Sequence, residues 1–98
     1  MEIIKKIEDS NCTIMLEGRL DTTTAPQLEA ELKSSLNDVK ELVFDFSKLE
    51  YISSAGLRCL LAAQKVMNAQ GSMKITNVAS EIMEVFEITG FTDILTIA

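Results

Sequence analysis

The chain contains no histidine. That removes the commonest general base, the commonest metal ligand and every Ser-His-Asp arrangement. Its four glycines stand singly, at positions 18, 56, 71 and 90, so no glycine-rich loop is available to cradle a phosphate. No apolar run approaches the length of a membrane span, and the opening Met1-Glu2-Ile3-Ile4-Lys5-Lys6 lacks the apolar core of a signal peptide. Basic residues are scarce, nine against fifteen acidic, for a net charge of −6. A surface of that sign repels phosphate backbones, which argues against nucleic acid and anionic membranes as partners. Two cysteines, Cys12 and Cys59, have neither metal spacing nor neighbouring ligands and read as small, reduced, apolar residues. Together these absences predict a cytoplasmic protein that needs no metal or cofactor and is not itself an enzyme.

What is present predicts one folded domain over residues 1–98, since 47% of the chain is hydrophobic and no linker, repeat or low-complexity segment interrupts it. The chain is organised around Tyr51-Ile52-Ser53-Ser54-Ala55-Gly56-Leu57-Arg58. Leu42 to Phe46, just before it, is a short apolar run that reads as a buried strand. Leu57 to Gln70, just after it, lacks proline and glycine and reads as a helix. Ser53 is placed as the N-cap of that helix, and Ser54 falls in its first turn. There the free N–H groups and the helix dipole favour added negative charge, so Ser54 is chemically suited to carry a phosphate. By the local pattern alone, both serines read as capping residues.

In order, Ile3–Glu8 and Thr13–Glu17 read as two strands, with Asp9-Ser10-Asn11 between them as turn chemistry, hence an antiparallel hairpin. Gly18 to Asp21 ends the second strand. A helix is expected from Thr24, with Thr24 as cap, Gln27 completing a capping box and Pro26 in the first turn. Its core stripe is Ala25, Leu28, Leu32 and Leu36, and Asn37-Asp38 breaks it. After the central helix, Gly71 is suited to a left-handed C-terminal cap, Met73–Thr76 to a short strand and Ser80 to the start of a third helix. Ile82, Val85 and Phe86 of that helix are expected to face inward, Gly90 and Phe91 to close it, and Ile94–Ile97 to add a short edge strand. The predicted fold is α/β: a largely parallel sheet of four or five strands with an antiparallel N-terminal hairpin and helices packed on it.

Projecting the central helix at about 100° per residue puts Ala55, Gly56, Cys59, Leu60, Ala63, Val66 and Met67 on the core side. Ser54, Arg58, Lys65 and Asn68 lie opposite. Leu57 and Leu61 flank the polar face, either covered by a neighbouring helix or, with Ser54 and Arg58, forming a partner surface. Ligands of open parallel sheets gather at the carboxyl ends of strands, which predicts Asp21 and Ser54 at the same end of the molecule. By local pattern alone Asp21 is a loop residue that hydrogen-bonds nearby backbone.

Gly18-Arg19-Leu20-Asp21-Thr22-Thr23-Thr24-Ala25, Val43-Phe44-Asp45-Phe46-Ser47 and above all Tyr51-Ile52-Ser53-Ser54-Ala55-Gly56-Leu57-Arg58 resemble the STAS domain, and within it the bacterial anti-sigma factor antagonists. The resemblance extends to Val85-Phe86-Glu87-Ile88-Thr89-Gly90-Phe91. It implies a switch: the domain binds an anti-sigma factor, a serine kinase of the histidine-kinase-like ATPase fold, and is released when that kinase phosphorylates it. A serine phosphatase resets it. By position the phosphorylated residue is Ser54, with Ser53 as second choice because many members have aspartate there. Asp21 matches the loop aspartate that supports kinase recognition, and Gly56 and Leu57 match the Gly-Leu pair of the family. The partner-binding set is then Asp21, Ser54, Gly56, Leu57, Arg58 and Leu61, on a domain expected to be a monomer when free. The alternative is a STAS domain that is never phosphorylated and serves as a structural subunit of an ATPase or transporter complex.

Overall fold

A computed structural model describes residues 1–98. Two strands, β1 (Glu2–Glu8) and β2 (Asn11–Leu20), form the expected antiparallel hairpin, with Asp9 taking positive φ in the tight turn. Helix α1 (Ala25–Ser35), strand β3 (Glu41–Ile52), helix α2 (Ser54–Gln70), strand β4 (Ser72–Thr76) and helix α3 (Ser80–Thr89) follow, and a single 3-10 turn spans Phe91–Asp93. The sheet runs β1-β2-β3-β4 in space, with β2, β3 and β4 parallel. No helix is long and apolar enough to cross a membrane.

The three helices cover one face of the sheet. Cys12, Ile14 and Leu16 of β2, Leu42, Phe44 and Phe46 of β3 and Met73 and Ile75 of β4 point into that layer and are buried. The helices answer with Leu28 and Leu32 from α1, Leu60 and Met67 from α2, and Ile82 and Phe86 from α3. Phe86 lies 6.4 Å, ring centre to ring centre, from Phe46. Residues of alternate parity, such as Thr13 and Lys74, face the open side of the sheet and are exposed.

Four features differ from the sequence expectation. Strand β3 runs on past Phe46 to Ile52, and β2 past Glu17 to Leu20. Two register shifts between them break the period-2 pattern, so Leu49 and Ile52 return to the core after the exposed pair Ser47-Lys48. Gly71 has φ 179°, an extended backbone rather than a left-handed cap. Glycine is needed there because a Cβ would strike the backbone carbonyl of Lys40, which accepts the Ser72 N–H at 2.8 Å. Beyond the last helix, the C-terminal segment contributes a single parallel bridge, Ile97 to Ile75, rather than a full strand. Finally, Leu57 is buried at 5% exposure and belongs to the core, while Val66, assigned to the core, is 44% exposed. The inward arc of α2 is rotated relative to the projection, taking in Leu57 and Gln64 and releasing Val66.

Candidate functional site

The carboxyl ends of β2 and β3 are locked side by side. Arg19 pairs with Tyr51 and Leu20 with Ile52 across the parallel ladder, and the Ser53 N–H donates to the Leu20 carbonyl at 2.9 Å. The chain leaves both strands at the same level, so Asp21 and Ser53-Ser54 emerge at one end of the molecule, as expected. The Arg19 guanidinium stacks over the Tyr51 ring at 4.1 Å and adds a side-chain clasp to the same pair of strand ends.

The start of α1 is held by Asp21. Its Oδ1 accepts from the Thr23 hydroxyl at 2.7 Å, the Thr23 N–H at 3.0 Å and the Thr24 N–H at 3.1 Å. The Asp21 N–H in turn donates to Thr24 Oγ1 at 2.8 Å, and that hydroxyl donates to the Arg19 carbonyl at 2.8 Å. The expected capping box is therefore not formed. Thr24 makes no side-chain cap, and the Gln27 amide reaches the Met1 carbonyl instead. These bonds, the Thr23 hydroxyl first, hold the Asp21 carboxyl below its ordinary pKa, because each favours the ionised form. The run Thr22-Thr23-Thr24 after the aspartate was the sequence signal for this turn.

The start of α2 is built differently. Ser53 is the N-cap, as expected, but its hydroxyl accepts from the Gly56 N–H at a long 3.4 Å. Packing fixes the helix. A Cβ on Gly56 would lie 2.7 Å from Leu20 and 2.8 Å from Ile52, so only glycine lets α2 seat against the two strand ends. Leu57, next in sequence, is buried beside it. Gly56 and Leu57 thus lie under the site, and neither offers the partner surface that the sequence suggested.

Ser54 begins the helix and is exposed, with Arg58 exposed one turn on and Leu61 half-buried beyond it. No acidic residue occupies the first turn of α2. On the other flank, α1 and α2 enclose a groove of about 640 Å³ that starts at Thr22, Ala55 and Arg58 and runs past Ala62 to Val66. The sequence projection missed this apolar surface because it turned Val66 inward. Cys59 lines the groove, and both thiols are free, buried and raised in pKa by burial, in keeping with a structural role. No three side chains among cysteine, aspartate and glutamate come together as a metal-binding group.

The STAS domain family model matches residues 2–98. The chain is 40% identical over 85 residues to BtrV of Bordetella bronchiseptica, provisionally named an anti-sigma factor antagonist, covering 85% of this chain and 73% of BtrV. Among solved structures, an anti-sigma factor antagonist from Mycobacterium paratuberculosis superposes with a TM-score of 0.88 at 22% identity, covering 98% of this chain and 83% of that one. The phosphorylated form of the Bacillus cell fate determinant SpoIIAA superposes at 0.77 with 20% identity, covering 99% and 91%.

Proposed function

The chain belongs to the STAS domain family, and from that premise we propose that it is an anti-sigma factor antagonist switched by phosphorylation of Ser54. The partner is a serine kinase of the histidine-kinase-like ATPase fold, bound in the cytoplasm through Asp21, Ser54, Arg58 and the half-buried Leu61. One observation carries this reading: an exposed serine hydroxyl opens a helix whose first turn holds no anion, beside a carboxylate fixed at the same sheet end. In the transfer, the Ser54 oxygen attacks the γ-phosphorus of ATP, the bond to ADP breaks, and the serine proton passes to a base on the kinase. The phosphatase reverses the modification with water.

The consequence is electrostatic. A phosphate adds about −1.5 to −2 charges to a chain already at −6. The free N–H groups and dipole of α2 tolerate that charge locally, so the fold survives. At an interface the same charge has to be desolvated, which disfavours the complex. Release then needs no large movement of the domain.

Intact mass measurement after incubation with the genomically paired kinase and ATP tests the assignment. One added phosphate is expected on the native chain and on Ser53→Ala, and none on Ser54→Ala. Modification of Ser54→Ala but not of Ser53→Ala would move the site to Ser53. No modification of the native chain, with binding retained, would favour the structural-subunit alternative.

A further inference from the structure

The two edges of the sheet are finished differently. At β4 the C-terminal segment covers the edge, with the Ile75 N–H bonded to the Thr96 carbonyl and the Ala98 N–H bonded to the Ile75 carbonyl, each at 2.9 Å. At β1 nothing covers the outer edge, and the strand has no proline, glycine or bulge to deter pairing. It also carries two of the most exposed large apolar side chains of the chain, Ile4 at 49% and Ile7 at 52%.

We propose that β1 pairs antiparallel with β1 of a second copy of this chain, across a two-fold axis at Ile4, joining two four-stranded sheets into one continuous sheet. The alternation of the strand selects this register. Ile3, Lys5 and Ile7 oppose Leu16, Ile14 and Cys12 and therefore face the helix layer, whereas Glu2, Ile4, Lys6 and Glu8 face the open side. Residues paired across the new edge must face the same way, so only registers centred on a residue are allowed. Centring on Lys5 sets Glu2 against Glu8 twice and Lys5 against itself, and centring on Lys6 sets Lys6 against itself. Centring on Ile7 sets Lys6 against Glu8 but overlaps only the last three residues of each strand, 6–8, and centring on Ile3 overlaps only 2–4 and sets Glu2 against Ile4.

Centring on Ile4 places Glu2 opposite Lys6 of the other copy, twice, around an Ile4–Ile4 contact on the open face. On the helix face it lays Ile3 against the aliphatic stem of Lys5, whose ammonium is already held by Glu31 at 2.8 Å and Ser35 at 2.8 Å. The exposed Ile7 then meets Met1, which packs on the core. Both exposed isoleucines of β1 are covered in this one arrangement. Lys6 is free to take part, because its present partner Glu8, at 3.3 Å, is a solvent-exposed pair of little strength. Association through one strand edge buries little surface and is weak, so the dimer belongs to high protein concentration and the monomer expected from sequence to low.

Sedimentation over a concentration series should show a mass rising from 10.8 kDa toward twice that value. Glu2→Lys and Lys6→Glu should each remain monomeric, since each sets like charges face to face. A 1:1 mixture of the two should dimerise again, because both cross-pairs then join opposite charges. In a separate test, Ile4→Cys should cross-link to itself under mild oxidation, its two Cα atoms being directly opposed, whereas Lys5→Cys should not. A native chain that stays monomeric throughout, a dimer indifferent to the charge variants, or cross-linking no faster at position 4 than at position 5 would each overturn the proposal. The readout is mass alone and is independent of any kinase or phosphate.

Discussion

Helices α1 and α2 begin at the same end of the sheet, one after Leu20 and the other after Ile52, strand residues paired in one ladder. Their first turns are nevertheless secured by different forces. At α1 a carboxylate gathers the loop: Asp21 takes three hydrogen bonds of 2.7–3.1 Å from Thr23 and Thr24, and so brings a negative charge to the helix N-terminus. At α2 the polar cap is a single bond of 3.4 Å, and the helix is held by Gly56 seated on Leu20 and Ile52 and by Leu57 in the core. The difference teaches where a switch can be put. The first start is gathered by an anion in the turn just ahead of the helix; the second is rigid from beneath and open from above. A phosphate arriving on Ser54 displaces no hydrogen bond on which the fold depends.

The largest expected effect tests the claim that α2 is held by packing. Leu57→Ala should cost about 2–5 kcal/mol of folding stability, as for any well-packed core leucine, and Leu60→Ala should cost a similar amount. Leu61→Ala, half-buried on the outer flank, should cost about 1 kcal/mol or less while weakening partner binding. Chemical denaturation of the three variants beside a binding titration measures both quantities. If Leu57→Ala left stability unchanged, the asymmetry between the two helix starts would vanish. If Leu61→Ala destabilised as much as Leu60→Ala, the surface beside Ser54 would belong to the core.

How this asymmetry was and was not legible in the sequence follows from the same residues. The alternation of strands and helices was readable because its punctuation is chemical: Asp9-Ser10-Asn11, Pro26, Ser53 and Gly90 each limit the backbone locally. Asp21 and Ser54 were readable as neighbours because strand ends in a parallel sheet share one level. What could not be read was set by packing at long range. The rotation of α2 that buries Leu57 and exposes Val66 depends on how the helix seats on β3 and β4, and a projection about its own axis contains no such reference. The length of β3 was hidden by register shifts against β2, and the need for glycine at position 71 comes from Lys40, far away in sequence.

A smaller effect is expected at the hydrogen-bonded start. The Asp21 carboxyl titrates lower in the folded chain than in the unfolded one. Its contribution is therefore complete above the ordinary carboxylate range near pH 4 and is lost as pH falls through the lowered folded value. Asp21→Asn should leave the domain folded at neutral pH, flatten the acid limb of its stability profile and slow phosphorylation of Ser54. A pH series of denaturation curves, with phosphorylation kinetics on the same variant, reads both. An unchanged acid limb would mean that Thr23 and Thr24 hold the turn without the charge, and unchanged kinetics would leave Asp21 with a structural role only.

The smallest effect probes the open N-terminus itself. Ser54→Asp places one fixed negative charge at the first residue of α2, where the dipole and the free N–H groups favour it by about 0.3–1 kcal/mol. Two terms oppose the gain: the chain already carries −6, and the Asp21 carboxylate stands at the same sheet end. All three are screened by salt, but the N–H groups act at contact distance and the opposing terms at long range, so a net stabilisation of a few tenths of a kcal/mol is expected at low ionic strength, shrinking without changing sign as salt is raised. Thermal unfolding at low and high ionic strength separates the contributions. A destabilisation that disappears with salt would show that Asp21 already fills the negative potential α2 can accept. The contrast between a satisfied and an open helix start would then fail, and a phosphate on Ser54 would act by straining the domain as well as by repelling its partner.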